Sequence, residues 1–295
     1  MSTVQQRALK ASHHAAQLAA GLPELLIAAE RVASLTRHGA HGRRRVGAGE
    51  AFWQFRRYQP GDDAGHIDWR QSARSAHLFI REREWEAAQT LMLWVDRTAS
   101  MDWMSRPGLP RKGSRAVVVA LAIAQLALEA GEQVALLDEP SRRYRGTSAL
   151  PHLALALLQG GGALPPKLPM PRHAAALVVS DFLSPLEPWR DLFALWAGQG
   201  CRGQIVQILD PAEIDPPWKG RVLLTGCESE APLLAPKFED WTAAYREKLA
   251  ARQARLDELA RAVGWHVTLH RTDHRPQECV GRLYHLFAAE LRAQP

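Results

Sequence analysis

An alternating set of oxygen-bearing side chains follows a short apolar run in the first third of the chain. The run 90–95 leads directly into Asp96, Thr98 and Ser100. In extended backbone, alternate side chains point to the same side, so these three can face one point. A carboxylate and two hydroxyls are hard oxygen donors of the kind that Mg²⁺ or Mn²⁺ prefers. The spacing therefore indicates a candidate metal site.

Two further oxygen-bearing residues follow later segments. Asp181 comes directly after the apolar run 174–180, and Thr147 precedes a predicted helix. Ligands of open α/β sheets bind beyond the carboxyl ends of the strands, so both residues are candidate ligands beside the first three. The alternative interpretation is that these side chains only cap helices.

Strand and helix patterns alternate after residue 90. Continuous apolar runs are typical of strands buried on both faces, and their alternation with helices favours a mainly parallel sheet with helices on both faces. Ser114 is predicted to cap one of these helices, which Gly131 ends. The predicted strands are 90–95, 133–137, 174–180, 204–209, 265–270 and a short edge strand at 221–224, and the predicted helices are 115–130, 151–159, 188–198, 241–263 and 276–292.

The first 90 residues do not show this alternation of strands and helices. Residues 4–36 show helical periodicity, 37–49 form a basic glycine-rich loop, and 51–86 contain short strand-like runs separated by turn signals. We therefore predict a helical and basic arm at 1–46, a β-rich subdomain at 47–89 and an α/β domain at 90–295.

Composition excludes several classes of protein. The 295 residues are 46% hydrophobic and 23% charged, which is typical of a globular chain and excludes a disordered one. The three cysteines form no CxxC pair, which excludes a zinc ribbon, and their sparse use suits a reducing compartment. The N-terminus lacks the apolar run of a signal peptide, and the most apolar segment, 116–128, is shorter than a membrane span. We expect a cytoplasmic protein with no membrane span.

A dense mixture of polar and aromatic residues lies between residues 56 and 74. It is a candidate partner-binding surface, and the alternative is an ion-paired scaffold for the β-rich subdomain. The candidate partner-binding residues are Arg56, Tyr58, Asp62, Asp63, Asp68, Trp69, Arg70 and Arg74.

The same region resembles the domain of unknown function 58 family. The resemblance is specific over residues 39–101, including Val95-Asp96-Arg97-Thr98-Ala99-Ser100-Met101, and extends over about residues 20–290. Its motifs here are Gly47-x-Gly49-Glu50-x-Phe52, Phe55-Arg56-x-Tyr58-x-Pro60-Gly61-Asp62-Asp63, Ile67-Asp68-Trp69-Arg70-x-Ser72-Ala73-Arg74 and Arg81-Glu82-x-Glu84.

The resemblance implies a fold, a site and a partner. The implied fold is a Rossmann-like, von Willebrand factor A-type domain with a metal-ion-dependent adhesion site, carried over to Asp96, Thr98, Ser100 and Asp181. The family usually has Ser at the position of Thr98, and Thr keeps the hydroxyl. Family members are associated with MoxR-type AAA+ ATPases in systems thought to act as chaperones or to assemble other proteins.

Three functions from different classes remain open. The first is a non-enzymatic adaptor or co-chaperone that works with a MoxR-type ATPase on an unknown client protein, through Mg²⁺ or Mn²⁺. The second is a nucleic-acid-binding protein that uses Arg37–Arg45 with Arg56 and Arg57, although no known reader motif accompanies this charge. The third is a metal-dependent hydrolase in which Asp102 or Asp210 acts as a base, although neither lies in a motif.

Overall fold

The computed structural model describes residues 26–31, 33, 53–57, 72–74, 78–83, 89–171, 174–227 and 230–292. The chain divides into two compact units, one formed by residues 1–40 and 89–295 and the other by residues 41–88. We call them the α/β unit and the β unit. The basic segment 37–45 lies outside the described residues.

The β unit contains an antiparallel pair of strands, β1 (Trp53–Arg57) and β2 (Phe79–Arg83). Between them, Ser72 is buried, and its Oγ accepts a hydrogen bond from the Phe79 N–H at 2.9 Å. Arg74 lies in a turn and is exposed.

The α/β unit is built on a six-stranded sheet. Its strands are β3 (Thr90–Val95), β4 (Gln133–Leu136), β5 (Glu139–Tyr144), β6 (Ala175–Ser180), β7 (Arg202–Leu209) and β10 (His266–Arg271). Their order across the sheet is β10-β7-β6-β3-β4-β5. Five strands are parallel, and the edge strand β5 runs antiparallel to β4. The prediction of an α/β unit with a mainly parallel sheet is confirmed.

Helices cover both faces of this sheet. They are α1 (Lys112–Glu129), α2 (Leu150–Gln159), α3 (Glu187–Gly198), α4 (Pro211–Ile214), α5 (Glu239–Ala262) and α6 (Pro276–Arg292). On β3, Leu91 and Leu93 face one hydrophobic core, while Met92 and Trp94 face the other. The first core packs against α1, α2 and α6, and the second against α3 and α5.

Two local predictions are wrong. Helix α1 begins at Lys112, so Ser114 lies inside the first turn and Arg111 occupies the N-cap position. The segment 221–224 is not an edge of the main sheet: β8 (Val222–Leu224) pairs with β9 (Leu233–Ala235) in a separate two-stranded sheet. A short apolar run does not specify which strand it pairs with, because pairing depends on tertiary contacts.

Within the described ranges, no helix combines the length and the apolarity needed to cross a membrane.

Candidate functional site

Strands β3 and β6 are neighbours in the sheet, and the order in which the chain adds strands changes direction between them. From β3 the chain passes to β4 and β5 on one side, then returns to β6 on the other side of β3. Loops leaving two such strands diverge, and the crevice between them is where open α/β sheets bind ligands. Asp96 directly follows β3, and Asp181 directly follows β6.

The carboxylate of Asp96 is buried, with 4% of the residue exposed. One of its oxygens accepts hydrogen bonds from the Thr98 N–H at 2.8 Å and the Thr98 Oγ1 at 2.7 Å. The other accepts from the Ser180 Oγ at 2.6 Å. Burial raises the pKa of Asp96, and these hydrogen bonds oppose the shift. Each of these hydrogen-bond donors is neutral.

A continuous chain of polar contacts joins Asp96 to Asp181. The hydroxyl oxygens of Thr98 and Ser100 lie 3.1 Å apart, and the Ser100 Oγ donates to the Asp181 Oδ2 at 2.8 Å. The structure thus brings together four of the five candidate ligands. The fifth, Thr147, is exposed on a 3₁₀ turn after β5, two strands away from β3, and has no hydrogen bond to the other four.

A lysine that sequence reasoning missed lies on the Asp181 side of this chain. The Lys112 ammonium, 1% exposed, is 2.9 Å from the Asp181 Oδ2 and 2.6 Å from the Glu213 Oε1. Burial lowers the pKa of Lys112, but Glu213 and Asp181 more than offset this and hold it above its ordinary value. Lys112 lies before the predicted start of this helix at residue 115, so the sequence pattern carried no signal for it.

Glu213 is fixed by the short helix α4. Its second carboxylate oxygen accepts from the Asp210 N–H at 2.8 Å, while the Asp210 side chain accepts from the Ala212 N–H at 2.9 Å. This reciprocal pair is a capping box. The Asp210 carboxylate is fully buried and also accepts from the Ser105 N–H at 3.0 Å. It also accepts from the Thr272 Oγ1 at 3.5 Å, so its described hydrogen bonds come from α4, Ser105 and Thr272.

Asp102, the other candidate base for hydrolysis, makes its ion pair outside this network. It is exposed and lies 3.1 Å from the Arg111 guanidinium. Neither Asp102 nor Asp210 is hydrogen-bonded to the four clustered residues.

The loop after Asp181 has a strained backbone. Among the described residues, Phe182 is the one non-glycine with positive φ, at 52°. Such conformations cost of order 1–3 kcal/mol and are common at functional sites. The Gln207 Nε2 donates to the Asp181 carbonyl at 2.9 Å, and the Arg252 Nε donates to the Phe182 carbonyl at 2.6 Å. Strand β7 and helix α5 therefore hold Asp181 in place.

The remaining predicted residues belong to the β unit. Arg56 lies on β1, where the structure describes the backbone. Tyr58, Asp62, Asp63, Asp68, Trp69 and Arg70 lie outside the described residues. The predicted partner surface stays a prediction.

The donor set at the sheet edge differs from a typical all-carboxylate or histidine centre. In the part of the chain that the structure describes, no three His, Cys, Asp or Glu side chains are grouped as metal ligands. The candidate set instead combines two carboxylates with two hydroxyls.

Comparisons with known proteins bear on the family resemblance. Residues 54–160 match the family model described as "Protein of unknown function DUF58". The chain is 29% identical to uncharacterized proteins of Mycobacterium bovis and of two strains of Mycobacterium tuberculosis, covering 79% of this chain and 80% of each relative. The crystal structure of the conserved hypothetical protein BatB from Bacteroides thetaiotaomicron matches 68% of this chain and all of its own, at 12% identity and a TM-score of 0.37. The resemblance to the domain of unknown function 58 family is thus confirmed for residues 54–160.

Proposed function

We propose that this chain is a non-enzymatic adaptor that binds a partner protein through a divalent cation at the carboxyl edge of its sheet. The observation that supports this most directly is the burial of the Asp96 carboxylate among neutral hydrogen-bond donors. Two hydroxyls lie beside this carboxylate. A buried charge is expensive unless a counter-charge or a metal accompanies it.

The residues present fit a hard cation. Thr98 and Ser100 offer hydroxyl oxygens, and Asp96 and Asp181 offer carboxylates that also orient those hydroxyls. Mg²⁺ favours such oxygen ligands and usually keeps several waters. When bound, the cation would supply a positive charge with exchangeable positions. A carboxylate of a partner protein is the group that such a position would accept.

The partner in this proposal is a MoxR-type AAA+ ATPase, and the chain would act as its adaptor or co-chaperone toward a client protein. The resemblance to the domain of unknown function 58 family supports this choice. The α/β unit would accordingly be a von Willebrand factor A-type domain with an adhesion-type site.

The first test measures binding of Mn²⁺ and Mg²⁺ by calorimetry. We expect the wild-type protein to bind either ion and Asp96→Ala to lose binding at least about tenfold, because the variant removes one of the site's negative charges. Asp102→Asn is the matched control, since it removes a carboxylate charge nearby without removing any member of the polar chain from Asp96 to Asp181.

A second experiment tests whether a MoxR-type ATPase binds this chain through the cation. The ATPase should co-purify with the wild type and with Asp102→Asn, and chelation of divalent ions should release it. Equal recovery of the ATPase with the wild type and Asp96→Ala would contradict a metal-bridged interface.

A further inference from the structure

We propose that Lys112 is a built-in cation of the candidate site, and that its ammonium competes with a divalent cation for Asp181. This inference rests on the proposed function, since it presumes that a cation binds at the sheet edge. It adds a determinant of metal affinity that comes from a helix rather than from a strand end.

The two halves of this chain of polar contacts are not equivalent. The Asp96 carboxylate contacts neutral donors, whereas the Asp181 carboxylate contacts the Lys112 ammonium at 2.9 Å. The Asp181 Oδ2 accepts from both this ammonium and the Ser100 hydroxyl. A proposed ligand and a resident cation therefore meet at one oxygen atom. A divalent cation near Ser100 has to share that oxygen's charge with Lys112.

The position of Lys112 is costly for a lysine. It is buried at the first residue of α1, where the helix dipole disfavours a cation. Replacing a buried ion pair by apolar side chains is often neutral or stabilising, so stability alone does not require an ammonium here. Glu213, which is held by the capping box of α4, fixes the ammonium beside Asp181. The arrangement places a positive charge where a metal ion would otherwise find only carboxylates.

Removing Lys112 and removing Glu213 should change the metal affinity in opposite directions. Within the contact network, Asp96, Asp181 and Glu213 are carboxylates and Lys112 is an ammonium, so these four groups carry two net negative charges when all are ionised. Arg97 and Arg252, whose charges act on Asp96 and Asp181, are the same in every variant. Removing the Lys112 ammonium leaves three net negative charges on the network and should strengthen metal binding. Removing the Glu213 carboxylate leaves one net negative charge. Lys112 then pairs with Asp181 alone, which should weaken metal binding.

The experiment compares Mn²⁺ affinity in the full-length wild type, Lys112→Met, Glu213→Gln and the double variant. Mn²⁺ binding is followed by calorimetry and by the loss of the free-ion electron paramagnetic resonance signal. We expect Lys112→Met to bind at least about tenfold tighter than the wild type and Glu213→Gln to bind more weakly. Lys248→Met is the matched control, because it removes the same charge from an exposed position on α5 and should change affinity less than about twofold.

The outcomes separate this inference from the proposed function. Equal affinity of the wild type and Lys112→Met would overturn the role of Lys112 and leave the metal site standing. An absence of Mn²⁺ binding in the wild type and in every variant would overturn both. If Lys112→Met does not fold, because Asp181 and Glu213 are left unpaired, the double variant is compared with Glu213→Gln. The inference then requires the double variant to bind at least about tenfold tighter than Glu213→Gln.

Discussion

The imidazole of His270 is buried in the interior of the α/β unit, on the same face of β10 as Thr268. Only 3% of the residue is exposed, and its Nε2 has no hydrogen-bond partner among the described residues. Burial, together with the charges of Arg115 and His274, lowers the pKa of His270 to about 4, and Asp273 partly opposes this shift. The side chain is therefore neutral in the folded protein at pH 7.

This burial predicts a stability that falls with acid. In the unfolded chain the His270 pKa is near 6.5. Between that pH and about pH 4, the unfolded state therefore binds a proton at this residue and the folded state does not. The free energy of unfolding should fall by about 2 kcal/mol between pH 7 and pH 5 through this residue alone. Urea titrations at both pH values should show this loss in the wild type and a smaller loss in His270→Leu.

The control for this pH effect lies on the same strand. His266 is exposed on β10, and His266→Leu should keep the wild-type pH dependence. An unchanged pH dependence in His270→Leu would show that other groups cause the loss.

At the residue scale, sequence could predict the part of the site that follows from strand ends. Asp96, Thr98 and Ser100 alternate after a buried run, and Asp181 follows a second one, so local pattern and sheet geometry are sufficient to bring them together. Lys112 and Glu213 could not be predicted in this way. Their contacts depend on which helix begins beside which strand, and that is decided by tertiary packing.

Among the elements, the glycine segment after α2 packs against the end of β3. Gly161 has φ +87°, and a Cβ placed there would lie 2.5 Å from the Val95 carbonyl oxygen and also in contact with the Arg97 side chain. Its N–H donates to the Asp138 Oδ2 at 2.9 Å. The segment therefore supports the strand from which Asp96 projects.

Substitution of this glycine should destabilise the α/β unit. Gly161→Ala combines a left-handed backbone conformation, which costs about 1–2 kcal/mol, with a clash against backbone, which costs about 1–3 kcal/mol. Denaturant unfolding should show a loss of about 2–5 kcal/mol. Gly162→Ala is the neighbouring control, because a Cβ there would meet nothing within 4 Å. Equal stabilities of the two variants would show that the segment relaxes.

The elements that sequence predicted best are those with long apolar runs. The buried strands β3, β6 and β7 fall within two residues of their predicted bounds, because burial on both faces leaves a continuous pattern. Strand β5 was missed, since Glu139-Pro140-Ser141-Arg142-Arg143-Tyr144 is polar. An edge strand has one unpaired side and often carries charges and proline, which hide it from a hydrophobicity pattern.

For the whole molecule, the distribution of thiols gives a test of the fold. Cys201 and Cys279 are buried, at 3% and 4% exposed, and Cys227 is exposed. Burial raises the pKa of the Cys279 thiol to about 12, so little reactive thiolate forms. We expect a thiol reagent to modify one cysteine rapidly in the native protein and all three in denaturant. Cys227→Ser should abolish the rapid phase, and two rapidly reacting thiols in the native wild type would contradict the packing of Cys201 or Cys279.

Tertiary contacts decide which hydrophobic core an N-terminal helical segment joins. Residues 1–40 group with the α/β unit, and Ala29 and Ala33 are buried in its first hydrophobic core. A helical stripe in the sequence predicts a helix and its apolar face, but does not specify which core that face enters. The division of chain segments between the units is therefore a property of the tertiary structure.

The chain reversal between β3 and β6 has a thermodynamic consequence. The candidate ligands and their ion pair come from residues 96 to 213, so they converge only when the central sheet is folded. A molecule that binds this edge binds the native state and not the unfolded chain. By mass action it raises the free energy of unfolding, by about 2.7 kcal/mol at a concentration 100 times its dissociation constant. The melting temperature of this chain is therefore itself a detector for ions, peptides or proteins that occupy the site.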